Sequence, residues 1–387
     1  MGRCGYPLKK LKYIATICNG QEYKHVEGDE HGIPVYGSGG VFAYAKKPIY
    51  EGISVLLGRK GTIDKPLYVD EAFWTVDTMY YTRIKADNYP KYVYYACNTI
   101  PFEFLQYGSA VPSMTSTDLG NTYLPFPDYE TQKLVASYLD EKESYLSEVQ
   151  SMYYVQLSML TRYKRDLIAE CVTKGLNKDA PMRPSGEDWI GDVPEHWKIV
   201  PLRAFLKSNN KKNPGGLPLL SVERERGVVN RETDGSPDNY NRIPDDLSNY
   251  KMVNEGQFVM NKMKAWQGSY GVAPCDGIVS PAYHVYDLVF ENKAFFNYAI
   301  RSKCYVGFLG RDSYGIRTDQ WDFKAECIKH IPFVVPSLEE QKEIVNYLSK
   351  QVSRINSLQE NITSQIQKLK DYRRILIHDA VTGKIKI

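Results

Sequence analysis

The sequence lacks any apolar run of about 18 residues, the length that a helix needs to span a bilayer. Its start, MGRCGYPLKKLKY, also lacks the continuous apolar stretch of a secretory signal. The seven cysteines are scattered and none belongs to a C-x-x-C pair, which argues against both a disulfide framework and a zinc site. We therefore expect a cytoplasmic protein without a membrane segment and without a metal site.

The chain also has little net charge. Its 49 lysines and arginines stand against 46 aspartates and glutamates, which leaves a formal charge of +3. Composition alone therefore does not indicate a nucleic-acid partner, since such proteins are often strongly basic. Hydrophobic residues make up 43% and charged residues 25% of the 387 positions, as in a folded protein with material for more than one domain.

Motifs of several enzyme classes are missing. The sequence has no Asn/Asp-Pro-Pro-aromatic tetrapeptide of a methyltransferase and no G-x-x-x-x-G-K-[ST] loop of a translocase. One nuclease-like string exists, Pro127-Asp128 followed by Asp140–Lys142. We interpret it as a coincidence, because its last three residues lie in a stretch with the periodicity of a long helix. We expect a non-catalytic protein with no cofactor and no catalytic residue of its own.

What the chain does contain is an internal repeat. The segment QKLVASYLDEK, from Gln132, aligns without a gap on QKEIVNYLSKQ, from Gln341, and roughly one third of about 42 positions are identical. Apolar residues recur in both at alternating spacings of three and four, which predicts two long helices with coiled-coil seams. The predicted seam residues are Leu139, Leu146, Val149, Gln156 and Leu160 in the first helix, and Leu348, Ile355, Leu358, Gln365 and Leu369 in the second.

Polar residues interrupt both seams at the same steps, and a polar residue at such a position typically fixes the register of paired helices. We therefore favour pairing of the two helices with each other. The alternative is that each helix packs only on its own globular domain.

A stretch of roughly 130 residues with short apolar runs, many tyrosines and frequent Gly, Pro and Asn precedes each helix, which predicts an α/β or mostly β module. Inside the modules, GISVLLGRKG from Gly52 aligns loosely with GQFVMNKMKA from Gly256. The predicted boundaries are 1–128 for the first module, 129–175 for the first long helix, 176–194 for a linker leading into the second repeat, 195–336 for the second module, and 337–387 for the second helix with a C-terminal tail.

Four strings carry a resemblance to a known family. They are IPVYGSGGVFAY from Ile33, SGEDWIGDVPEHWKIVPL from Ser185, NKMKAWQGSYGVAPCDGIVSPAYHVY from Asn261 and KLKDYRRILIHDAVTGKI from Lys368. Together with the order module, helix, module, helix, they make the chain resemble the specificity subunits of type I restriction–modification enzymes. One departure is that the SGEDWIGDVPEHW segment precedes only the second module, whereas the first begins at GYPLKKLKYIA.

The resemblance implies an α+β fold, in which two globular target recognition domains are joined by two long antiparallel coiled-coil helices. Each domain would recognise one half of a split double-stranded DNA target. Partners would be two methyltransferase subunits and two restriction–translocation subunits, and S-adenosylmethionine, ATP and Mg²⁺ would belong to those partners. Two alternatives are a coiled-coil adaptor that binds protein, and a similar subunit of another restriction–modification class.

The length of the helices suits such a role. A helix of roughly 40 residues rises about 60 Å, while one turn of duplex DNA spans about 34 Å. We expect helix length to set the length of the DNA spacer between the two half-sites.

Candidate DNA-binding residues lie in polar loops punctuated by glycine. Arg and Lys suit phosphate and guanine, and Gln suits adenine, although a solvated surface loop is the alternative for each residue. The candidates are Arg59, Lys60, Ser109, Ser113, Lys262, Lys264, Gln267, Arg317 and Gln320.

Overall fold

The computed structural model describes residues 5–107, 112–231, 243–244, 246–311, 313–314, 322–323 and 325–387. The chain forms two compact units. Unit 1 consists of Met1–Tyr154 with Ile362–Ile387, and unit 2 consists of Val155–Asn361. Each unit therefore contains one globular module and a stretch of both long helices. No helix in the described ranges is long and apolar enough to cross a membrane.

The module of unit 1 combines short strands with short helices. Its strands are β1 (Leu8–Lys10), β2 (Ala15–Asn19), β3 (Ile33–Gly37), β4 (Gly40–Ala45), β5 (Ser54–Gly58), β6 (Leu67–Val69), β7 (Trp74–Thr75), β8 (Met79–Ile84) and β9 (Tyr123–Pro125). Its helices are α1 (Leu11–Ile14), α2 (Pro90–Cys97) and α3 (Ser116–Asn121), and the long helix α4 (Tyr129–Lys174) follows.

The centre of this module is a four-stranded antiparallel sheet with the strand order β2-β8-β5-β6. Side chains of the central strand β5 alternate between its two faces, as a β-strand requires. Val55 and Leu57 join the large core that includes α2 and the long helices, whereas Leu56 packs with Phe73 and Met79 in a smaller core on the other face.

Unit 2 repeats this plan with more strands. They are β10 (Met182–Pro184), β11 (Asp192–Pro194), β12 (Lys198–Pro201), β13 (Leu206–Asn209), β14 (Leu220–Glu223), β15 (Gly227–Asn230), β16 (Lys251–Val253), β17 (Phe258–Asn261), β18 (Tyr270–Val272), β19 (Gly277–Val279), β20 (Tyr283–Leu288), β21 (Ser313–Tyr314), β22 (Asp322–Phe323) and β23 (Pro332–Val335). The helices are α5 (Lys293–Ile300), α6 (Lys303–Arg311) and the long α7 (Leu338–Val381).

The main sheet of unit 2 has the strand order β13-β20-β17-β18, again antiparallel throughout. Its central strand β17 corresponds to β5, and α5 follows β20 as α2 follows β8. The repeat that is visible in the helical sequences therefore extends to the modules, although their sequences are much less alike.

The structural correspondence between β5 and β17 is shifted by one residue from the loose sequence alignment of GISVLLGRKG with GQFVMNKMKA. Phe258 and Met260 face the large core of unit 2, as Val55 and Leu57 face that of unit 1. Leu57 therefore corresponds to Met260 and not to Asn261. Because successive strand residues point to opposite faces, a shift of one residue would exchange the side chains that face the large core with those that face the smaller core.

In unit 1 the start of α4 packs beside the end of α7. Leu139 and Leu146 share a core with Leu376 and Ala380, so the two helices run antiparallel. Beside this core, the Nε of Arg373 lies 3.0 Å from a carboxylate oxygen of Glu143. The guanidinium of Arg373 also donates to Ser147 Oγ at 3.1 Å.

In unit 2 the end of α4 packs beside the start of α7. Leu167 shares a core with Leu348 and Ile355, which gives the same antiparallel arrangement. Lys164 Nζ donates to the side-chain oxygen of Asn356 at 2.9 Å. Each long helix therefore packs both on a module and on the other helix, and the expected α+β fold with long paired helices is confirmed.

The predicted seam residues fall into three groups. Leu139, Leu146, Leu348 and Ile355 are buried; Val149, Leu160, Gln365 and Leu369 are half-buried; Gln156 and Leu358 are exposed. The exposure of Gln156 and Leu358 means that neither lies in a buried seam. A strict seven-residue repeat drifts around a straight helix by about 20° per heptad, so a single sequence spacing does not follow the contact face along the whole helix.

The segment that leads into the second module is fastened to the start of α7. Glu340 accepts hydrogen bonds from the rings of His196 at 2.9 Å and Trp197 at 3.1 Å, and from the Ser337 hydroxyl at 2.9 Å. Burial would raise the pKa of Glu340, but these hydrogen bonds outweigh it and lower that pKa. The Trp197 side chain is buried, so the contact links the entry segment of the second module to the first turn of α7.

Candidate nucleic-acid interface

Each module places a basic residue directly after its central strand. β5 ends at Gly58 and Arg59 follows; β17 ends at Asn261 and Lys262 follows. With the register that the core faces define, Arg59 and Lys262 occupy equivalent positions. A side chain at Gly58 would meet the carbonyl oxygen of Thr62 at 2.5 Å, so the return of the chain after β5 requires glycine there.

In unit 1 the main chain holds Arg59 firmly. Its N–H donates to the Thr78 carbonyl at 2.8 Å, and its own carbonyl accepts from the N–H of Met114 at 2.9 Å. Its guanidinium donates to the Asp77 carbonyl at 3.2 Å. The adjacent Lys60 is exposed. Arg59 is thus a positioned group, whereas Lys60 is free to reach toward a ligand.

Tyr107 and Ser113 lie beside Arg59 and Lys60. The main chains of Tyr107 and Ser113 exchange two hydrogen bonds, of 2.8 and 2.9 Å. Lys60 and Ser113 form an antiparallel bridge, and the Ser113 hydroxyl donates to the Tyr107 carbonyl. The structure therefore brings Arg59, Lys60 and Ser113 together, as three of the sequence candidates. Ser109, a fourth, lies outside the described residues.

Unit 2 has the corresponding arrangement. The carbonyl of Lys262 accepts from the N–H of Phe323 at 3.0 Å. Phe323 belongs to β22, which pairs with β21. Lys264 is exposed and Gln267 is half-buried, and a short helical turn that ends at Gly268, with φ of 94°, connects them to β18. The candidates Arg317 and Gln320 fall between β21 and β22 and lie outside the described residues.

Met114 and Phe323 are the shared anchors of these loops. Both side chains are buried in the large core of their unit, and both main-chain N–H groups donate to the basic residue after the central strand. Equivalent backbone thus carries Arg59 in one module and Lys262 in the other. Such a construction can hold two different sets of polar side chains on one framework.

Sequence reasoning missed Arg83, an exposed residue near the end of β8. Its guanidinium lies 5.6 Å from the ring centre of Tyr50 and 5.9 Å from that of Tyr81, and it donates to the Tyr81 hydroxyl at 3.4 Å. That hydrogen bond raises the pKa of Arg83, whose positive charge is therefore held at the surface. No loop signal could have found it, because it lies within a strand.

The described part of the chain contains no cluster of three or more His, Cys, Asp or Glu side chains that could hold a metal ion. Burial raises the pKa of Cys97 to about 12 and that of Cys171 to about 11. These two thiols therefore stay protonated near neutral pH and are poor nucleophiles.

Comparison with known proteins gives a consistent picture. A family model for the type I restriction modification DNA specificity domain matches residues 5–149. The specificity subunit of the type I restriction enzyme MjaVIII from Methanocaldococcus jannaschii is 23% identical over 299 residues, which cover 72% of this chain and 66% of that protein. Residues 5–149 thus match a type I restriction modification DNA specificity domain, and the chain is similar to a type I specificity subunit over most of its length.

A solved structure from work on complex assembly and conformational transition of the type I restriction–modification system shares the fold. It has a TM-score of 0.67 and 14% sequence identity, and the match covers 98% of both chains. The match of the family model ends within α4. The main sheets of the two units have equivalent strand orders, so the same sheet topology occurs twice in the chain.

Proposed function

We propose that the chain recognises a bipartite double-stranded DNA target for a type I restriction–modification complex, and that each module recognises one half. The observation that carries this proposal is the repeated loop construction, which presents Arg59 in one module and Lys262 in the other from equivalent backbone. Two different half-sequences require different side chains on a common framework. The chain supplies recognition, and methylation and cleavage belong to its partners.

Local charge supports this proposal despite the small net charge. In unit 1, Arg59 and Lys60 follow β5, whereas Arg83 lies near the end of β8, at the opposite end of the β5–β8 pair; in unit 2, Lys262 and Lys264 follow β17. Phosphate contacts from such residues position a protein on DNA, and polar contacts to base edges distinguish sequences. A few well-placed cations therefore serve this purpose without a strongly basic composition.

Exposed apolar side chains on α4 support docking of partner subunits. In unit 1 they include Leu134, Tyr145 and Met152, and in unit 2 they include Val155, Met159 and Tyr163. The spacing is 11 residues from Leu134 to Tyr145, seven from Tyr145 to Met152, and four between successive residues in unit 2. Each of these spacings places neighbouring side chains on one side of the helix. Apolar patches of this kind mark protein-interaction sites. The partners are two methyltransferase subunits and two restriction–translocation subunits, which bind S-adenosylmethionine, ATP and Mg²⁺.

Single-molecule methylome sequencing tests the proposal. The host would lack other methyltransferases and would express this chain with the methyltransferase gene that neighbours it. We expect a new bipartite methylated motif that disappears when the chain is omitted. A soluble complex that methylates no motif would contradict DNA recognition and favour the protein-binding adaptor.

Exchange of residues 1–128 for the corresponding module of another family member tests the division of labour. We expect one half of the motif to change and the other half to stay. A change in both halves, or in neither, would contradict the assignment of one half-site to each module.

A further inference from the structure

Unit 2 contains a second group of cationic side chains beside the turn that follows β17. Its centre is Lys251, a half-buried residue at the start of β16. Lys251 Nζ donates to the main-chain carbonyl of Tyr283 at 2.7 Å. Tyr283 lies directly opposite Asn261 in the pairing of β17 with β20. The ammonium group of Lys251 is thus fixed at the end of the main sheet where Lys262 begins the candidate loop.

Side-chain contacts tie this group to that loop. The Asn261 amide donates to the Tyr283 hydroxyl at 3.3 Å, and its oxygen accepts from the N–H of Met263 at 3.2 Å. Asn261 itself is buried. The position of Lys251 relative to the loop therefore depends on buried groups of the sheet and not on a mobile surface side chain.

Positive charge accumulates around Lys251. Burial, and then the nearby charge of Lys262, lower the pKa of Lys251. The main chain of Lys212 forms an antiparallel bridge with that of Lys251, and Lys212 is exposed. Lys212 Nζ donates to a neutral partner, the side chain of Asn249, at 3.2 Å. Within the described ranges, no carboxylate lies at ion-pair distance from Lys251.

Lys251 has a half-buried ammonium group with no carboxylate at ion-pair distance among the described residues, and such a group is best stabilised by a bound anion. A lysine ammonium has three donor hydrogens, and the Tyr283 carbonyl uses one, so two remain for phosphate oxygens. Lysine acts as a point charge and does not impose the planar two-point geometry that reads guanine. A group of this kind suits a backbone phosphate better than a base edge.

We propose that Lys251, flanked by Lys212 and Lys262, binds a backbone phosphate of the DNA next to the half-site that unit 2 recognises. The contact positions the second module on the duplex and is independent of base sequence. This inference rests on the proposed function and adds to it a site outside the glycine-punctuated loops.

The experiment uses the full chain in complex with its methyltransferase subunits. The probes are one duplex that contains the methylated motif and one of equal length that lacks it, and binding is measured over a series of KCl concentrations. For Lys251→Gln we expect weaker binding to both duplexes by a similar factor, roughly eightfold at 0.1 M salt. The slope of log K against log salt should decrease by about 0.9, the value for one phosphate contact.

Two variants serve as controls. Lys251→Arg keeps the charge and should retain the wild-type salt slope. Lys293 is exposed in the first turn of α5 and lies beside Gly256, at the opposite end of β17 from Lys262. Lys293→Gln removes this charge and should leave both the affinity and the salt slope unchanged. Thermal unfolding of Lys251→Gln, compared with wild type, establishes that the variant is folded.

An unchanged salt slope in a folded Lys251→Gln complex would overturn the inference, and so would failure of Lys251→Arg to retain the slope. A changed methylation motif in Lys251→Gln would also overturn it, because it would assign Lys251 to base recognition. Loss of motif preference in the wild-type complex would contradict the proposed function itself, which is a distinct result.

Discussion

The division of the helical seam into buried and exposed positions leads to a quantitative prediction in unit 2. Leu348 and Leu358 are both leucines on α7, and sequence periodicity assigns both to the same seam. Leu348 is fully buried in the large core of unit 2, whereas Leu358 is 45% exposed. Replacement of each by alanine compares one chemical change in two environments.

The expected magnitudes differ severalfold. Removal of a buried leucine side chain costs the lost transfer free energy and leaves a cavity, together about 3 kcal/mol in the free energy of unfolding. For a folding unit of about 200 residues this corresponds to a decrease in Tm of roughly 6–12 °C. A substitution at an exposed helix position changes stability by about 0.5 kcal/mol or less, so Leu358→Ala should shift Tm by about 2 °C at most.

Scanning calorimetry of the full chain, with wild type, Leu348→Ala and Leu358→Ala under identical conditions, measures both shifts. Since the chain has two units, the comparison uses the transition that Leu348→Ala moves and does not assume two-state unfolding of the whole protein. Equal shifts for the two variants, or a larger shift for Leu358→Ala, would show that the helices follow a strict heptad seam and would refute the packing argument.

Three further predictions concern stability, recognition and spacing. The lowered pKa of Glu340 means that its ionised form stabilises the fold above the unfolded pKa of about 4.3. We therefore expect the Tm of wild type to exceed that of Glu340→Gln most above about pH 5, and the difference to diminish as pH falls through the folded pKa. A difference in Tm that stays constant with pH would argue against this. Arg59→Gln should impair recognition of one half-site and Lys262→Gln recognition of the other, each by about 1–3 kcal/mol if the residue contacts a base. Methylome sequencing that finds both half-sites affected by one variant would contradict this. Insertion of four residues after Leu157 lengthens α4 by about 6 Å and should change the DNA spacer but leave both half-sequences intact, so altered half-sequences in the methylome would count against it.

The long helices could be predicted from sequence because their signal is redundant. Apolar spacing of three and four recurs over many turns, and the second repeat confirms each position independently. The structure accordingly has continuous helices at Tyr129–Lys174 and Leu338–Val381. The same periodicity could not identify Gln156 and Leu358 as exposed, because the contact face also depends on how each module packs against the helix.

The strand register was harder to predict. All five residues of β5 and all four residues of β17 are buried, so neither strand has the alternation of apolar and polar residues that would exclude a shift of one residue. The loose sequence alignment pairs Gly52 with Gly256, and in the structure both lie before the central strand with positive φ. Burial of Phe258 and Met260 on one face corrects it, and this correction makes Arg59 equivalent to Lys262.

Candidate recognition residues can be proposed from sequence only where composition marks a loop. Arg59, Lys60 and Lys264 follow glycine-rich or polar signals, and the structure places them after the central strands. Arg83 and Lys251 lie within strands, where a polar residue usually indicates only the solvent side of the sheet. Their significance comes from neighbours distant in sequence, namely Tyr50 for Arg83 and Tyr283 for Lys251, and a single sequence does not reveal these contacts.

The two halves of the repeat use different polar residues at the equivalent contact between the long helices. In the gapless alignment, Arg373 of unit 1 corresponds to Lys164 of unit 2, and Ser147 corresponds to Asn356. Arg373 binds Ser147 and a carboxylate, whereas Lys164 binds the Asn356 amide, so a polar contact persists at the equivalent place with different partners. A polar pair among apolar neighbours fixes register at little gain in stability. A polar pair is kept at this place although its residues differ between the two units, which indicates that the geometry of the helical pairing is constrained. A fixed spacing between two recognition modules requires such a constraint.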